Sequence, residues 1–155
     1  MRSASQINDP TYVLNWRRID ERITTSGQPT TRQLAAIADI GVSHIINLGM
    51  HSHERALADE PGDVARLGMT YSYLPVDFGC PTEADFAAFR TRLESTAPAL
   101  VHVHCIFNWR VSAFFYKYRR DVLGLDEKQA RREMERVWQP DAVWTAFLER
   151  RDERT

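Results

Sequence analysis

One stretch restricts the folds open to this chain more than any other: Leu100 to Phe114, which reads LVHVHCIFNWRVSAF. An apolar run interleaved with histidines stops at His104 and Cys105, and Arg110 stands five positions after the cysteine. Helical spacing begins at once, with Val111, Phe114, Phe115 and Tyr118 on one face. The pattern predicts a strand, a tight loop and a helix. Such a loop turns backbone N–H groups inward at a helix N-terminus, where they bind an anion. The same dipoles stabilise a cysteine thiolate and make it a nucleophile. Arg110 adds a planar, two-pronged donor suited to phosphate or sulfate.

The rest of the chain alternates strand and helix signals. Glu21 to Thr25 predicts a short strand, and Thr30 and Gln33 have capping-box spacing before a helix that Gly41 ends. Val42 to Leu48 and Thr70 to Val76 predict strands, with a helix over 59–67 between them. Thr82 caps a helix whose Phe86, Phe89 and Leu93 share a face. Asp126 caps another, and a last helix carries Val143, Trp144, Phe147 and Leu148. The aromatics of Tyr12 to Trp16 are expected to pack on the body. This alternation argues an α/β domain, a central mainly parallel sheet of about four to five strands flanked by helices. Ligands of such sheets sit beyond the carboxyl ends of the strands, where Cys105, the His51 loop and the Asp77 loop would meet.

With 155 residues the chain is expected to form one domain over 1–155, residues 1–11 being loosely ordered around the Asn8-Asp9-Pro10 turn. A net charge of −1 gives no general reason to bind nucleic acid or an acidic membrane surface. Nothing in the sequence has the length of an apolar membrane span or the core of a signal peptide, so no membrane insertion and a cytoplasmic location are expected. Two cysteines, Cys80 and Cys105, are too few for a disulfide framework and unsuited to zinc. His51 and His53, two apart without a clear third ligand, read as a polar loop.

The His104-Cys105 to Ser112 stretch resembles the phosphate-binding loop of the cysteine-dependent protein tyrosine and dual-specificity phosphatases. The pattern there is His-Cys, five residues, Arg, then Ser or Thr. Here four residues, Ile106 to Trp109, separate Cys105 from Arg110, and two alignments are open. Either the loop is one residue short and Arg110 is the phosphate arginine, or no gap exists. In the second case Asn108 takes the glycine position, Ser112 the hydroxyl position and Val111 the arginine's place. Asn suits the glycine position because it tolerates left-handed backbone. Ser26-Gly-Gln-Pro-Thr30, Gly41 to Leu48 and Leu74-Pro-Val-Asp77 look like successive blocks of small bacterial phosphatases of this type. The resemblance spans most of residues 20–148.

The resemblance implies a phosphate monoester hydrolase without metal or cofactor. Cys105 would attack phosphorus and form a phosphocysteine; Arg110 and the amides of Ile106, Phe107, Asn108, Trp109 and Arg110 would hold the peripheral oxygens. Asp77 would be the general acid, its rivals Glu83 and Asp85 reading as first-turn residues of the next helix. His104 would order the loop, Ser112 would hydrogen-bond the thiolate, and Gln139 beside Trp138 and Pro140 would position water. Phe107 and Trp109 would shape the pocket mouth or plug it, and Cys80 could reach Cys105 in a reversible disulfide. The implied partner is a phosphorylated substrate, a phosphotyrosine protein or a small phosphate ester. Two rival classes share the strand, loop and helix: a catalytically degenerate phosphate-binding module, which the short spacing favours, and a rhodanese-like sulfurtransferase, whose cysteine carries a persulfide.

Overall fold

The parallel sheet is set by its most buried strand. In the computed structural model of the chain, which describes residues 8–150, β5 (Val101–His104) is buried at every position. A strand that polar and that buried needs partners on both edges and both faces. It lies parallel to β2 (Ile23–Ser26) on one side and parallel to β3 (His44–Asn47) on the other. β4 (Thr70–Tyr73) extends the sheet parallel to β3, and β1 (Arg17–Arg18) closes the opposite edge antiparallel to β2. The order is β1-β2-β5-β3-β4. β1 escapes sequence reading because two arginines carry no strand pattern.

Helices cover both faces. α1 (Thr31–Asp39) and α2 (Glu60–Arg66) bury Leu34, Ile37 and Val64 against Val42, Ile45 and Met69. α3 (Glu83–Ser95), α4 (Trp109–Lys117), α5 (Glu127–Glu135) and α6 (Ala142–Glu149) pack on the other face, around Val101, Val103, Phe89, Phe114, Trp144 and Phe147. α1 and α3 start with the capping boxes of Thr30–Gln33 and Thr82–Asp85. Gly41, at φ 101°, takes the chain out of α1. One turn of π-helix, Tyr118–Val122, follows α4. No helix among the described residues is long and apolar enough to cross a membrane.

Two expectations need correction. Tyr12 is 70% exposed and packs on nothing substantial, whereas Trp16 stacks on the His102 ring at 5.0 Å. The strands are also shorter than their apolar runs. β3 and β4 stop at Asn47 and Tyr73, because the ladder ends where β5 ends, at His104. Residues 1–7, part of the segment expected to be loose, lie outside the described residues; Asp9 ion-pairs with Arg18 at 2.6 Å.

The register is what builds the site. Ser26, His104, Asn47 and Tyr73 occupy one row across four parallel strands. The segments that follow them therefore leave the sheet side by side. These are the Gly27-Gln28 turn, the Cys105 loop, Leu48-Gly49 and Leu74 to Asp77.

Candidate active site

The Cys105 loop is threaded between two glycines. A Cβ at Gly27 would lie 2.6 Å from the Ile106 carbonyl oxygen, and one at Gly49 would lie 3.1 Å from Ile106 Cδ1 and 3.3 Å from the Cys105 carbonyl carbon. Any side chain at Gly27 would push the loop away. Its path is then pinned by backbone bonds: Gln28 N–H donates to the Ile106 carbonyl at 2.9 Å, and Leu48 N–H to the His104 carbonyl at 2.8 Å.

Asn108 ends the loop. It lies in the left-handed region at φ 67°, and α4 starts at the next residue. Its side-chain amide donates to the Asn15 carbonyl at 2.8 Å and to Thr25 Oγ1 at 3.1 Å. Asn15, itself at φ 52°, returns the bond by donating to the Phe107 carbonyl at 2.8 Å. The chain before β1 thus clasps the loop from outside. Asn108→Ala is expected to lower stability by about 2–5 kcal/mol, since left-handed backbone costs ~1–2 kcal/mol and each of the two lost hydrogen bonds ~0.5–1.5 kcal/mol. Asn108→Gly should recover the backbone part of that loss. Urea unfolding of the two variants checks the split.

The loop presents donors with nothing to donate to. Among the described residues, the backbone amides from Ile106 to Val111 have no hydrogen-bond acceptor. Arg110, 8% exposed, sits in the first turn of α4. Its Nε donates to the Val76 carbonyl at 2.8 Å, and its guanidinium carbon lies 5.2 Å from the Phe78 ring centre. Among the described residues it makes no ion pair. A buried cation at a helix N-terminus opposes both desolvation and the macrodipole, and an anion in the loop relieves both.

The Asp77 segment is held from both sides. Arg110 takes the carbonyl of Val76, and the buried indole of Trp144 on α6 donates to the carbonyl of Phe78 at 2.8 Å. Asp77 itself is exposed, and its Oδ1 accepts from Gly79 N–H at 2.9 Å. Its rivals Glu83 and Asp85 sit in the first turn of α3, where Asp85 is spent on the Thr82 cap. Cys80, free and exposed, lies on the same segment.

Cys105 is 0% exposed and packs with Val103, Val111 and Phe114 in the core. Aromatic rings gather beside its loop. Trp109 stacks on Trp138 at 5.1 Å and 3°, Phe107 lies 5.0 Å from Trp109, and Phe78 touches both tryptophans. The guanidinium of Arg55 lies over Phe107 at 5.1 Å.

His104 reveals partners that sequence reading missed. Its Nε2 is 2.5 Å from Oε2 of Glu60, and its Nδ1 is 3.0 Å from the Cys105 carbonyl oxygen. Glu60 is 1% exposed at the start of α2, and its other oxygen accepts from Gln28 Nε2 at 2.8 Å. Burial works against the Glu60 carboxylate. The attraction and hydrogen bond of His104 outweigh it, helped by Gln28 and by His51 further off, and the pKa falls below the ordinary value. No local signal marks Glu60, because an acid in a first helical turn is ordinarily a solvated one.

His102, two residues earlier, differs. Ser26 Oγ donates to the Gly27 carbonyl at 2.6 Å and so accepts from His102 Nε2 at 2.8 Å, while Thr24 Oγ1 lies 2.8 Å from Nδ1. Burial first, then the nearby His104, holds its pKa well below the usual value. This is a neutral, structural histidine.

One expected contact is not formed. The Ser112 hydroxyl turns back to the Trp109 carbonyl at 3.1 Å, as helical serines do, instead of reaching Cys105. Gln139 is exposed in the turn between α5 and α6. His51 stacks on Tyr73 at 3.6 Å and meets the Tyr71 hydroxyl at 2.7 Å, and His53 Nδ1 accepts from Arg55 N–H. Asn108 takes the left-handed backbone that the gapless alignment expects at its glycine position, and Val111 is buried in the core.

Comparison with known proteins agrees with this architecture. The structure superposes on the "Putative phosphatase (DUF442)" from Shewanella putrefaciens CN-32 with a TM-score of 0.81 and 29% identity, over 92% of this chain and 93% of that one. It superposes on TpbA from P. aeruginosa, solved in complex with pTyr, with a TM-score of 0.71 and 18% identity, over 92% and 86% of the two chains. Among curated proteins it is 36% identical over 93 residues to a "Beta-lactamase hydrolase-like protein" of Xylella fastidiosa. That match takes in 56% of this chain and 21% of the relative, so the chain spans about a fifth of the curated relatives it matches. No family model matches the chain.

Proposed function

We propose that this chain, which has the fold of the cysteine-dependent tyrosine-phosphatase-like enzymes, is itself a phosphate monoester hydrolase working through a phosphocysteine. One observation carries the reading. Around the loop that Cys105 begins stand the unengaged amides from Ile106 to Val111 and the buried Arg110, which has no carboxylate partner among the described residues. That arrangement suits a dianionic group and little else.

The thiolate of Cys105 attacks phosphorus in line, forming the S–P bond as the P–O bond to the leaving group breaks. Asp77 gives its proton to the departing oxygen. Water then attacks the phosphocysteine, Asp77 takes the water's proton, and orthophosphate leaves with the thiolate restored. The loop amides and Arg110 stabilise charge on the three peripheral oxygens in both steps. Ile106, Phe107, Asn108 and Trp109 serve through their backbones. The tie from Arg110 to Val76 sets the acid's segment beside the phosphate site.

Turnover of a 32P-labelled aryl phosphate, quenched in detergent, tests the mechanism. Label on Cys105 is expected; turnover without label on that residue overturns it. Asp77→Asn is expected to slow an alkyl phosphate by about 10²-fold, the lower end of general acid catalysis, and para-nitrophenyl phosphate by less. The difference arises because nitrophenolate departs without a proton. Equal losses on the two substrates would place the acid elsewhere.

A second reading has its own support. Val111, buried at 0% exposure, stands where the gapless alignment puts the phosphate arginine. A loop with its arginine one step early could hold a phosphorylated ligand and turn it over slowly. Orthophosphate binding by calorimetry, with no Cys105-dependent turnover, would select that reading.

A further inference from the structure

Among the described residues, Glu60 is the one fully buried carboxylate, the proposed mechanism leaves it unused, and it sits one side chain from Cys105. Its surroundings constrain His104. Both ring nitrogens of His104 face oxygens that only accept: the Glu60 carboxylate at 2.5 Å and the Cys105 carbonyl at 3.0 Å. A neutral imidazole has one N–H and can satisfy one of them. With Glu60 ionised, the form that its lowered pKa favours, both contacts are satisfied only when each nitrogen carries a proton. His102 shows the alternative on the same face of the same strand, with hydroxyls at both nitrogens and a neutral ring.

We propose that Glu60 is a positioning residue for Cys105: it holds His104 as a two-proton donor whose second N–H grips the Cys105 carbonyl and sets the thiolate as the resting form of the cysteine. The inference rests on Cys105 being the nucleophile, and it assigns the regulation of that nucleophile to a residue on α2. The cationic ring lies nearer to Cys105 than its counter-charge does, since Glu60 binds the nitrogen remote from the Cys105 carbonyl. Gln28 steadies the carboxylate from the β2–α1 turn.

Other groups bear on the pair. His51 from the loop after β3 and Tyr71 from β4 face Glu60; Tyr71 is pushed upward by burial and then by the Glu60 charge. His102 faces His104. Arg110 is the other cation of the loop, and it lies on α4, independent of Glu60.

The test uses the full chain carrying Cys80→Ser, so that Cys105 is its one cysteine, labelled with 13C at Cβ. The pH titration of that carbon is followed by NMR with and without Glu60→Gln. The variant is expected to raise the Cys105 midpoint by about one pH unit or more, the scale of a lost charge partner. Glu60→Asp should restore part of the shift. An unchanged or lowered midpoint in folded Glu60→Gln overturns the proposal.

A second measurement needs no change at Glu60. The ring 15N shifts of His104 are expected to show both nitrogens proton-bearing near neutral pH, with His102 in its Nε2–H form. A single proton on the His104 ring overturns the proposal even where Glu60→Gln fails to fold. Neither readout requires turnover. A protein that hydrolyses no phosphate ester, yet shows the shifted midpoint, would sink the phosphatase reading and leave Glu60's role standing.

Discussion

Cys105→Ser is expected to abolish para-nitrophenyl phosphate hydrolysis while leaving orthophosphate binding within a few-fold of the parent. The reasons lie in the loop. A serine hydroxyl is not ionised near neutrality and lacks the nucleophilicity of a thiolate. The proposed anion site, however, is made of main chain and Arg110, which the substitution does not touch. The change replaces sulfur by oxygen in a packed position, so the loop should keep its path between Gly27 and Gly49. Steady-state kinetics and phosphate calorimetry on one preparation check both halves. Turnover surviving within about tenfold of the parent would put the nucleophile elsewhere, since a nucleophile's loss costs far more than that. Loss of binding along with turnover would mean that sulfur, not the amide nest, holds the anion.

Arg110→Ala is the second large effect. It should lower kcat for aryl phosphates by about 10³-fold or more, the scale of arginines that neutralise charge in phosphoryl transfer. It should also weaken orthophosphate binding. Arg110→Lys should recover little, because a point charge on a flexible stem lacks the fork that serves two acceptors. Arg110 also holds Val76, next to Asp77. Its removal frees the Asp77 segment on one side, leaving the Trp144 bond to Phe78 as the remaining tie. The losses from Arg110→Ala and Asp77→Asn should therefore fall short of additive when combined, as for residues that act as a unit. Full additivity would show that the tie to Val76 does not matter to catalysis. Unchanged phosphate affinity in Arg110→Ala would show that the guanidinium serves the Asp77 segment alone.

The phosphatase-like α/β fold was legible because its signals are local. Strands and helices announce themselves by spacing, caps by Thr30 and Thr82, and helix exits by Gly41. Even the left-handed turn at Asn108 is a property of residue type and of its place before an apolar helix. The strand ends were less legible, since a ladder stops where its neighbour stops.

The connections across the site were closed to sequence reading. Glu60 meets His104 across 44 positions, Arg110 meets Val76 across 34, Trp144 meets Phe78 across 66 and Asn15 meets Phe107 across 92. Each ends on β5, the Cys105 loop or the segment after β4, which lie side by side because β5, β3 and β4 end in one row. Ser112 shows the converse. Its spacing suited a contact with Cys105, but the geometry of the first helical turns gave its hydroxyl a nearer acceptor in Trp109. The sequence alone determined that a cysteine would stand between a strand and a helix N-terminus, because backbone preference and hydrophobic period act over a few residues. Only the tertiary structure decided which buried charges surround that cysteine, because a desolvated carboxylate or guanidinium takes the partner that packing brings within hydrogen-bond reach.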